Sequence, residues 1–425
     1  MPTSGLVPSD SLFPVLSMLR TNGPTTRSEL ARHTGLTRKV VVQRVEELID
    51  GGLAEEGDMG RSTGGRAPRE IRFRTQGASI LVTEIAAGSL TVGLTDLAGS
   101  LLSSAHVDSD TAAGPDAILA RIEQLFDKLL EERPAASPPL YGIGIGVPAP
   151  VGIGTGRPIG DLRFPEWVDH PIRDRFATRY NVPVWVENNA NLMAIGELRA
   201  GLARGHSDAV FIRVGTGIGC AIITSGELQR GTQGFGGEFG HVLVDAGSSE
   251  RCWCGLTGCL TQIAGAGALG RDGDRAATDG TSPILAAIKA QGRTIAAREV
   301  FTAATAGDPT SIRILTGAGR HLGAVTAVLV SALNPSLILL GADHLRPEDP
   351  YVAAFRETVL ERTLPSATRE LQFAISRLGN SAGLIGAAYM VVDGLLSPQT
   401  LKLWSESGTP AGLADLIHES STDAA

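Results

Sequence analysis

Apolar positions along this chain follow two periods, and the change comes near residue 76. Before that point they recur every three or four residues. Leu12, Val15, Leu16 and Leu19 mark one face of an amphipathic helix over residues 11–21. Thr26-x-x-Glu29 is a capping-box pattern that opens a second helix, and Gly35 closes it. Thr37 caps a third helix over residues 38–50, whose stripe includes Val41, Val45, Leu48 and Ile49. Two helices joined by a glycine-containing turn make a helix-turn-helix, and residues 52–74 read as a β-wing behind it.

Beyond residue 76 short β-branched runs alternate with longer helical stretches. SILVTEI, SLTVGLTD, LYGIGIGV, VPVWVEN, AVFIRV and SLILLG read as strands, while DAILARIEQLFDKLLEE and NLMAIGELRAGLA read as helices. Three strands followed by alternating helices and strands, occurring twice, predict a two-lobed α/β body with a cleft between the lobes. The expected division is residues 1–75, then a first lobe over 76–190 completed by a helix at 381–397, then a second lobe over 191–380. The small, polar and acidic stretch 398–425 is expected to be poorly ordered. Leu322–Ala342 carries no charge and is long enough to span a bilayer, yet Asn334-Pro335 cuts it into a helix and a buried strand. A core helix and strand are expected there, not an anchor. The first ten residues have no basic start and no long apolar run, so a cytoplasmic chain without a secretory signal is expected.

Charge changes the picture at the amino end. Of 37 basic and 45 acidic residues, the first 75 positions hold 11 and 9, leaving 26 and 36 for the body. Six bases between Arg20 and Arg44 face one acid, Glu29, and five between Arg61 and Arg74 face only Glu70. That clustering points to a nucleic-acid module ahead of an acidic body. Thr37, Arg38, Lys39, Gln43 and Arg44 lie near the amino end of the third helix, away from its apolar stripe. Arginine and glutamine there read purine edges in the major groove, and Lys39 suits a phosphate. Arg61 and Arg66 lie among glycines, where a wing tip enters the minor groove.

Three of the four cysteines fall together. His241, Cys252, Cys254 and Cys259 read H-x10-C-x-C-x4-C, a Cys3His set suited to tetrahedral, structural zinc with no position left for water. Glycine motifs are less telling. Gly142-x-Gly144-x-Gly146 runs into Pro148 and not into a helix, and Gly265-x-Gly267-x-x-Gly270 has no strand before it, so neither is a dinucleotide fingerprint. Gly215-Thr216-Gly217-Ile218-Gly219 sits in a hairpin-like strand pair, where bare backbone N–H groups suit a phosphate.

Taken in order, these pieces resemble the repressor–ORF–kinase (ROK) family of the sugar-kinase and actin-like ATPase fold. The resemblance rests on Glu238-Phe239-Gly240-His241 through Cys259, on VENNANLMAIGE, on VGTGIG and on Gly341-Ala342 after a strand. It implies that Asn188, Asn189, Glu238 and His241 form a sugar site, with His241 also on zinc. It implies that the kinase base is the Asp of an E-N-D-A-N motif, where this chain has Asn189. A carboxamide orients a hydroxyl but does not take its proton, and losing a general base costs on the order of 10²–10⁴-fold. Kinases of the family carry D-I-G-G-T after the first strand, and this chain has Glu84-Ile85-Ala86-Ala87-Gly88. Thr261 stands where the family usually has Glu, and Pro148-Ala149 replaces a Pro-Gly turn. No catalytic residue is therefore expected. The expectation is a sugar-responsive repressor binding operator DNA as a homodimer, on half-sites about one helical turn apart. A sugar kinase with a fused DNA-binding unit and a regulator that no longer senses sugar stay open.

Overall fold

The computed structural model describes residues 11–59, 68–160, 165–342 and 345–422. Its first elements follow from their caps. Helix α1 (Leu12–Asn22) buries Leu12, Val15, Leu16 and Leu19. A short strand β1 (Thr25–Thr26) leads into α2 (Arg27–Thr34), where the Thr26 hydroxyl accepts from Glu29 N and the Glu29 carboxylate accepts from Thr26 N at 2.9 Å. Gly35 ends that helix in the left-handed region, at φ 70°. Helix α3 (Arg38–Asp50), capped by Thr37, buries Val41, Val45 and Leu48. Strands β2 (Ala54–Met59) and β3 (Arg69–Phe73) pair antiparallel, and β1 joins β3 to give the order β1-β3-β2.

The body repeats one sheet topology. Strands β4 (Ser79–Ile85), β5 (Ser89–Asp96) and β6 (Leu101–Asp108) run antiparallel in sequence. Helix α4 (Pro115–Glu131) then leads to β7 (Leu140–Val147), and α5 (Ile172–Tyr180) to β8 (Val184–Asn188). Strand β7 lies parallel to both β4 and β8, so the sheet order is β6-β5-β4-β7-β8. Helix α6 (Asn189–Ala200) carries the chain into the second lobe. There β9 (Ala209–Val214), β10 (Ile218–Thr224) and β11 (Glu227–Leu228) form the antiparallel part. Helices α7 (Leu260–Ala264), α8 (Ala266–Thr278), α9 (Pro283–Ala290), α10 (Ala297–Thr305) and α11 (Pro309–Leu333) follow. Strand β12 (Leu337–Gly341), helix α12 (Pro350–Glu361) and strand β13 (Gln372–Ile375) complete the sheet in the order β11-β10-β9-β12-β13. Helix α13 (Ser381–Leu395) follows β13 as α6 follows β8, and it returns to pack on β4 and β7 of the first lobe.

Helices α6 and α13 cross at backbone contact. A Cβ on Gly386 would overlap the Leu192 carbonyl oxygen, and one on Gly196 would overlap that of Ala382. Gly144 of β7 makes the same kind of allowance, since a Cβ there would stand 2.7 Å from the Ala387 carbonyl oxygen. The Gly142–Gly146 motif thus serves helix–sheet packing. The amino-terminal unit is not separate from the body: Leu16, Leu19, Val45 and Leu53 share one continuous core with Ile80, Val391, Leu395 and Trp404.

Of two expectations about apolar and polar stretches, the first holds and the second does not. Helix α11 is long and apolar enough to cross a membrane, but Leu322, Thr326 and Val330 are buried and the helix packs along α12, as a core helix does. The carboxyl-terminal stretch, expected to be poorly ordered, instead forms α14 (Pro398–Trp404) and α15 (Ala414–Thr422). Ser397 caps α14, and Trp404 is fully buried, donating from Nε1 to the Leu395 carbonyl at 2.9 Å and meeting Tyr141 edge-on. Buried Ile417 and the His418 ring, which accepts from Val184 N, pin α15 to the first lobe. Few but well-spaced apolar residues hold a polar segment down. Trp404→Ala is expected to cost about 3–5 kcal/mol, read as a lowered midpoint in denaturant unfolding.

Candidate functional site

The amino-terminal surface divides the predicted DNA-reading residues. Thr37, Arg38, Lys39 and Gln43 are exposed on the first turns of α3, and Gln43 Nε2 donates to Glu47 at 3.1 Å. Arg38 and Lys39 make no ion pair among the described residues. Arg44 is a correction: it is buried, donates from Nε to Ser11 Oγ at 2.8 Å and pairs with Glu47. It therefore braces α3 against the start of α1 and is withdrawn from the DNA-reading set. Arg61 and Arg66 lie outside the described residues. Part of the basic cluster is neutralised locally, because Glu56 pairs with Arg27 and Arg69, and Glu55 pairs with Arg72 at 2.7 Å.

A cavity of about 580 Å³ opens between the lobes. The β4–β5 turn, Ala86-Ala87-Gly88, lies on one side and the β9–β10 turn, Gly215-Thr216-Gly217, on the other. Asn188, Glu238 and His241 all line it, together with Trp167, Phe235 and Trp253. Asn188 caps α6: its Oδ1 accepts from Ala190 N at 2.8 Å, and its Nδ2 donates to the Ala149 carbonyl at 3.1 Å. One amide hydrogen remains for a ligand. Glu187 holds this turn from behind, accepting from Asn188 N and Asn191 Nδ2 on one oxygen and from Arg230 Nε at 2.6 Å on the other. Burial pushes the Glu238 carboxyl up to about 7 and pulls His241 below its ordinary value.

Asn189 also borders the cavity, but its polar atoms are turned inward. The residue is buried, Nδ2 donates to the Ile85 carbonyl at 2.8 Å, and Oδ1 has no partner. The inner end of the cleft holds an ion pair that joins the lobes. Glu84 near the end of β4 meets Arg213 near the end of β9 at 3.2 Å. Arg213 was not anticipated, although a lone arginine inside the apolar run AVFIRV was a signal for it. Thr261 has a structural task as well, accepting from Ile218 N at 3.0 Å and so fixing the glycine hairpin.

His241, Cys252, Cys254 and Cys259 converge, with their donor atoms all within 4.8 Å of one another. Cys252 Sγ lies 3.4 Å from His241 Nδ1, and Cys254 Sγ lies 3.7 Å from Cys259 Sγ. A tetrahedral zinc site has S–N and S–S edges of about 3.6 and 3.8 Å, given Zn–S near 2.3 Å and Zn–N near 2.0–2.1 Å. The residues therefore fit such an ion. His241 turns Nδ1 to the thiols and leaves Nε2 3.9 Å from Glu238, so the metal group and the cleft share this side chain.

Two lobes of equal sheet topology, facing each other over a ligand-sized cleft, define a body of the sugar-kinase and actin-like ATPase class. The ROK family profile matches residues 82–393, and the chain belongs to that family. It is 26% identical over 390 residues to a xylose repressor of Bacillus subtilis, covering 91% of this chain and 96% of the repressor. A glucokinase of Halalkalibacterium halodurans is 30% identical over 294 residues, covering 69% of this chain and 89% of the kinase. Among solved structures, a ROK family transcriptional regulator described as a homolog of the E. coli MLC protein superposes with a TM-score of 0.78 at 24% identity, covering 94% of this chain and 98% of the other.

The setting of Asn189 gives a test. Asn189→Asp would place a buried carboxylate oxygen against the Ile85 carbonyl. It is expected to destabilise the protein by about 1–3 kcal/mol in denaturant unfolding and to give no transfer of phosphate from ATP to glucose in a coupled assay.

Proposed function

We propose that this chain is a sugar-responsive DNA-binding repressor whose kinase-like body binds a ligand without phosphorylating it. Asn189 carries the reading. At the position of the family's base it is a buried carboxamide committed to the Ile85 carbonyl, which takes up no proton from a sugar hydroxyl. The Glu84–Arg213 pair adds to it, because a tethered guanidinium neutralises the carboxylate that a metal–nucleotide complex needs. The amino-terminal helices and sheet act as a winged helix, with α3 in the major groove and Thr37, Arg38, Lys39 and Gln43 toward the DNA. The repressor match extends over nearly the whole chain, whereas the glucokinase match leaves about a third of it out.

In the cleft, sugar hydroxyls are held by Asn188, Glu238 and His241, with Asn189 behind them, and the aromatic walls exclude water. Zinc holds the Cys3His loop as a structural ion, keeping the His241 ring and the Trp253 wall in place. The protein works in the cytoplasm as a homodimer, so that two α3 helices meet two half-sites.

The test is a DNA sequence selected by the purified protein from a random pool, followed by affinity measurements with and without D-xylose and D-glucose. Sugar-dependent release supports the reading, and ATP-dependent phosphorylation of either sugar overturns it. Arg38→Ala is expected to lower affinity for the selected sequence by about 1–3 kcal/mol. The metal group has its own measurement. About one zinc per chain is expected in the wild type and little in Cys254→Ser, with a lower unfolding temperature and weaker sugar binding.

A further inference from the structure

Helix α6 begins at the cleft, and α13 begins behind it, against Glu84, whose partner Arg213 lines the cleft. Asn189, the first residue of α6, holds the Ile85 carbonyl, and Gly383 in the first turn of α13 leaves room only for the Glu84 carboxylate. Their carboxyl-terminal ends meet again at Asp393. Arg199 of α6 donates from Nη2 to Asp393 Oδ2 at 2.7 Å, and its guanidinium also lies over the Tyr389 ring of α13. The other Asp393 oxygen accepts from Arg20 Nη2 of α1, again at 2.7 Å. One carboxylate thus ties the amino-terminal unit, through Arg199, to the helix that starts at the ligand cleft.

The two helices transmit displacement because they cross at backbone contact, with no side chain between Gly196 and Ala382 or between Gly386 and Leu192 to absorb a shift. Beside the crossing there is room to move. A cavity of about 340 Å³ is bounded by Ile195 and Arg199 of α6, Met390 and Asp393 of α13, and the β10–β11 hairpin of the second lobe. The ion pairs are partly exposed, so they add little to stability and are cheap to rearrange.

We infer that Asp393 and Arg199 are positioning residues that couple closure of the cleft to the seating of α1, and hence of the DNA-facing helix α3. Closure displaces the amino end of α6. The crossing passes that displacement to the Arg199–Asp393 pair, and Asp393 then releases or re-aims Arg20. This inference rests on the sugar-responsive reading, and its test separates the two.

The full-length protein is measured on the selected DNA with and without saturating D-xylose or D-glucose, as wild type, Arg199→Ala, Arg20→Ala and the double variant. Sugar affinity by calorimetry and the unfolding temperature serve as controls. Coupling of 5- to 150-fold is the usual range. Each single variant is expected to bring the wild-type ratio below about threefold while sugar affinity stays within about twofold. The double variant is expected to lose no more than either single one, and Arg199→Lys to keep most of the response. Wild-type ratios in the single variants overturn the inference, as does a loss that only tracks weaker sugar binding. Hydrogen exchange of α1 is read without sugar. Faster exchange of Leu12–Asn22 in Arg199→Ala supports the link, and unchanged exchange overturns it even where the wild type responds to sugar. A wild type that binds DNA but ignores sugars, with faster α1 exchange in the variant, places the failure in the sensing and not in the link.

Discussion

The contact on which this body depends is the crossing of α6 and α13. Each helix follows the last strand of a five-stranded sheet, and the two sheets share one topology. Glycines at 196 and 386 let the helix backbones touch, so at these two points no side chain separates the elements that join the lobes. Close packing makes such a joint behave as a unit, and it bears on the cleft, since Asn189 lines it and Gly383 backs the Glu84 that pairs with cavity-lining Arg213. It also sets the seat of the amino-terminal helices, whose apolar faces merge with the core around Val391, Leu395 and Trp404.

Within the cleft the two lobes present equivalent turns, and charge distinguishes them. Glu84 comes from the first strand of one sheet and Arg213 from the first strand of the other. Their pairing neutralises a carboxylate that is otherwise costly to bury. Asn189 is locked by the Ile85 carbonyl, while Asn188, Glu238 and His241 line the cavity between the lobes. The Cys3His loop forms a wall on the same side, because His241 belongs to both the Cys3His cluster and the cavity.

Much of this was legible along the chain. The capping box Thr26–Glu29, the Thr37 cap and the Gly35 stop are local, and the helices they bound form as the pattern predicts. The runs SILVTEI and LYGIGIGV become β4 and β7 because alternation and β-branching act within a few residues. The Cys3His cluster was legible too, since its spacing brings three cysteines and one histidine within reach of one another, as a metal group requires. Arg44 was misplaced because a helical wheel cannot tell which polar residue will find a partner from another helix, here Ser11. The tail was misjudged because its few apolar residues look sparse until Tyr141 and the first lobe stand opposite them.

By itself the sequence determined the elements, the two-lobed class and the clustering of three cysteines with one histidine, all of which depend on short-range pattern or residue chemistry. Only the tertiary structure decided that Glu84 meets Arg213 across 129 positions of chain, that Asp393 joins Arg20 to Arg199, and that glycines in α6 and α13 are contact points. The physical reason is the same in each case. A charge or a glycine states a requirement for a partner or for space, and which residue meets it depends on how distant segments pack.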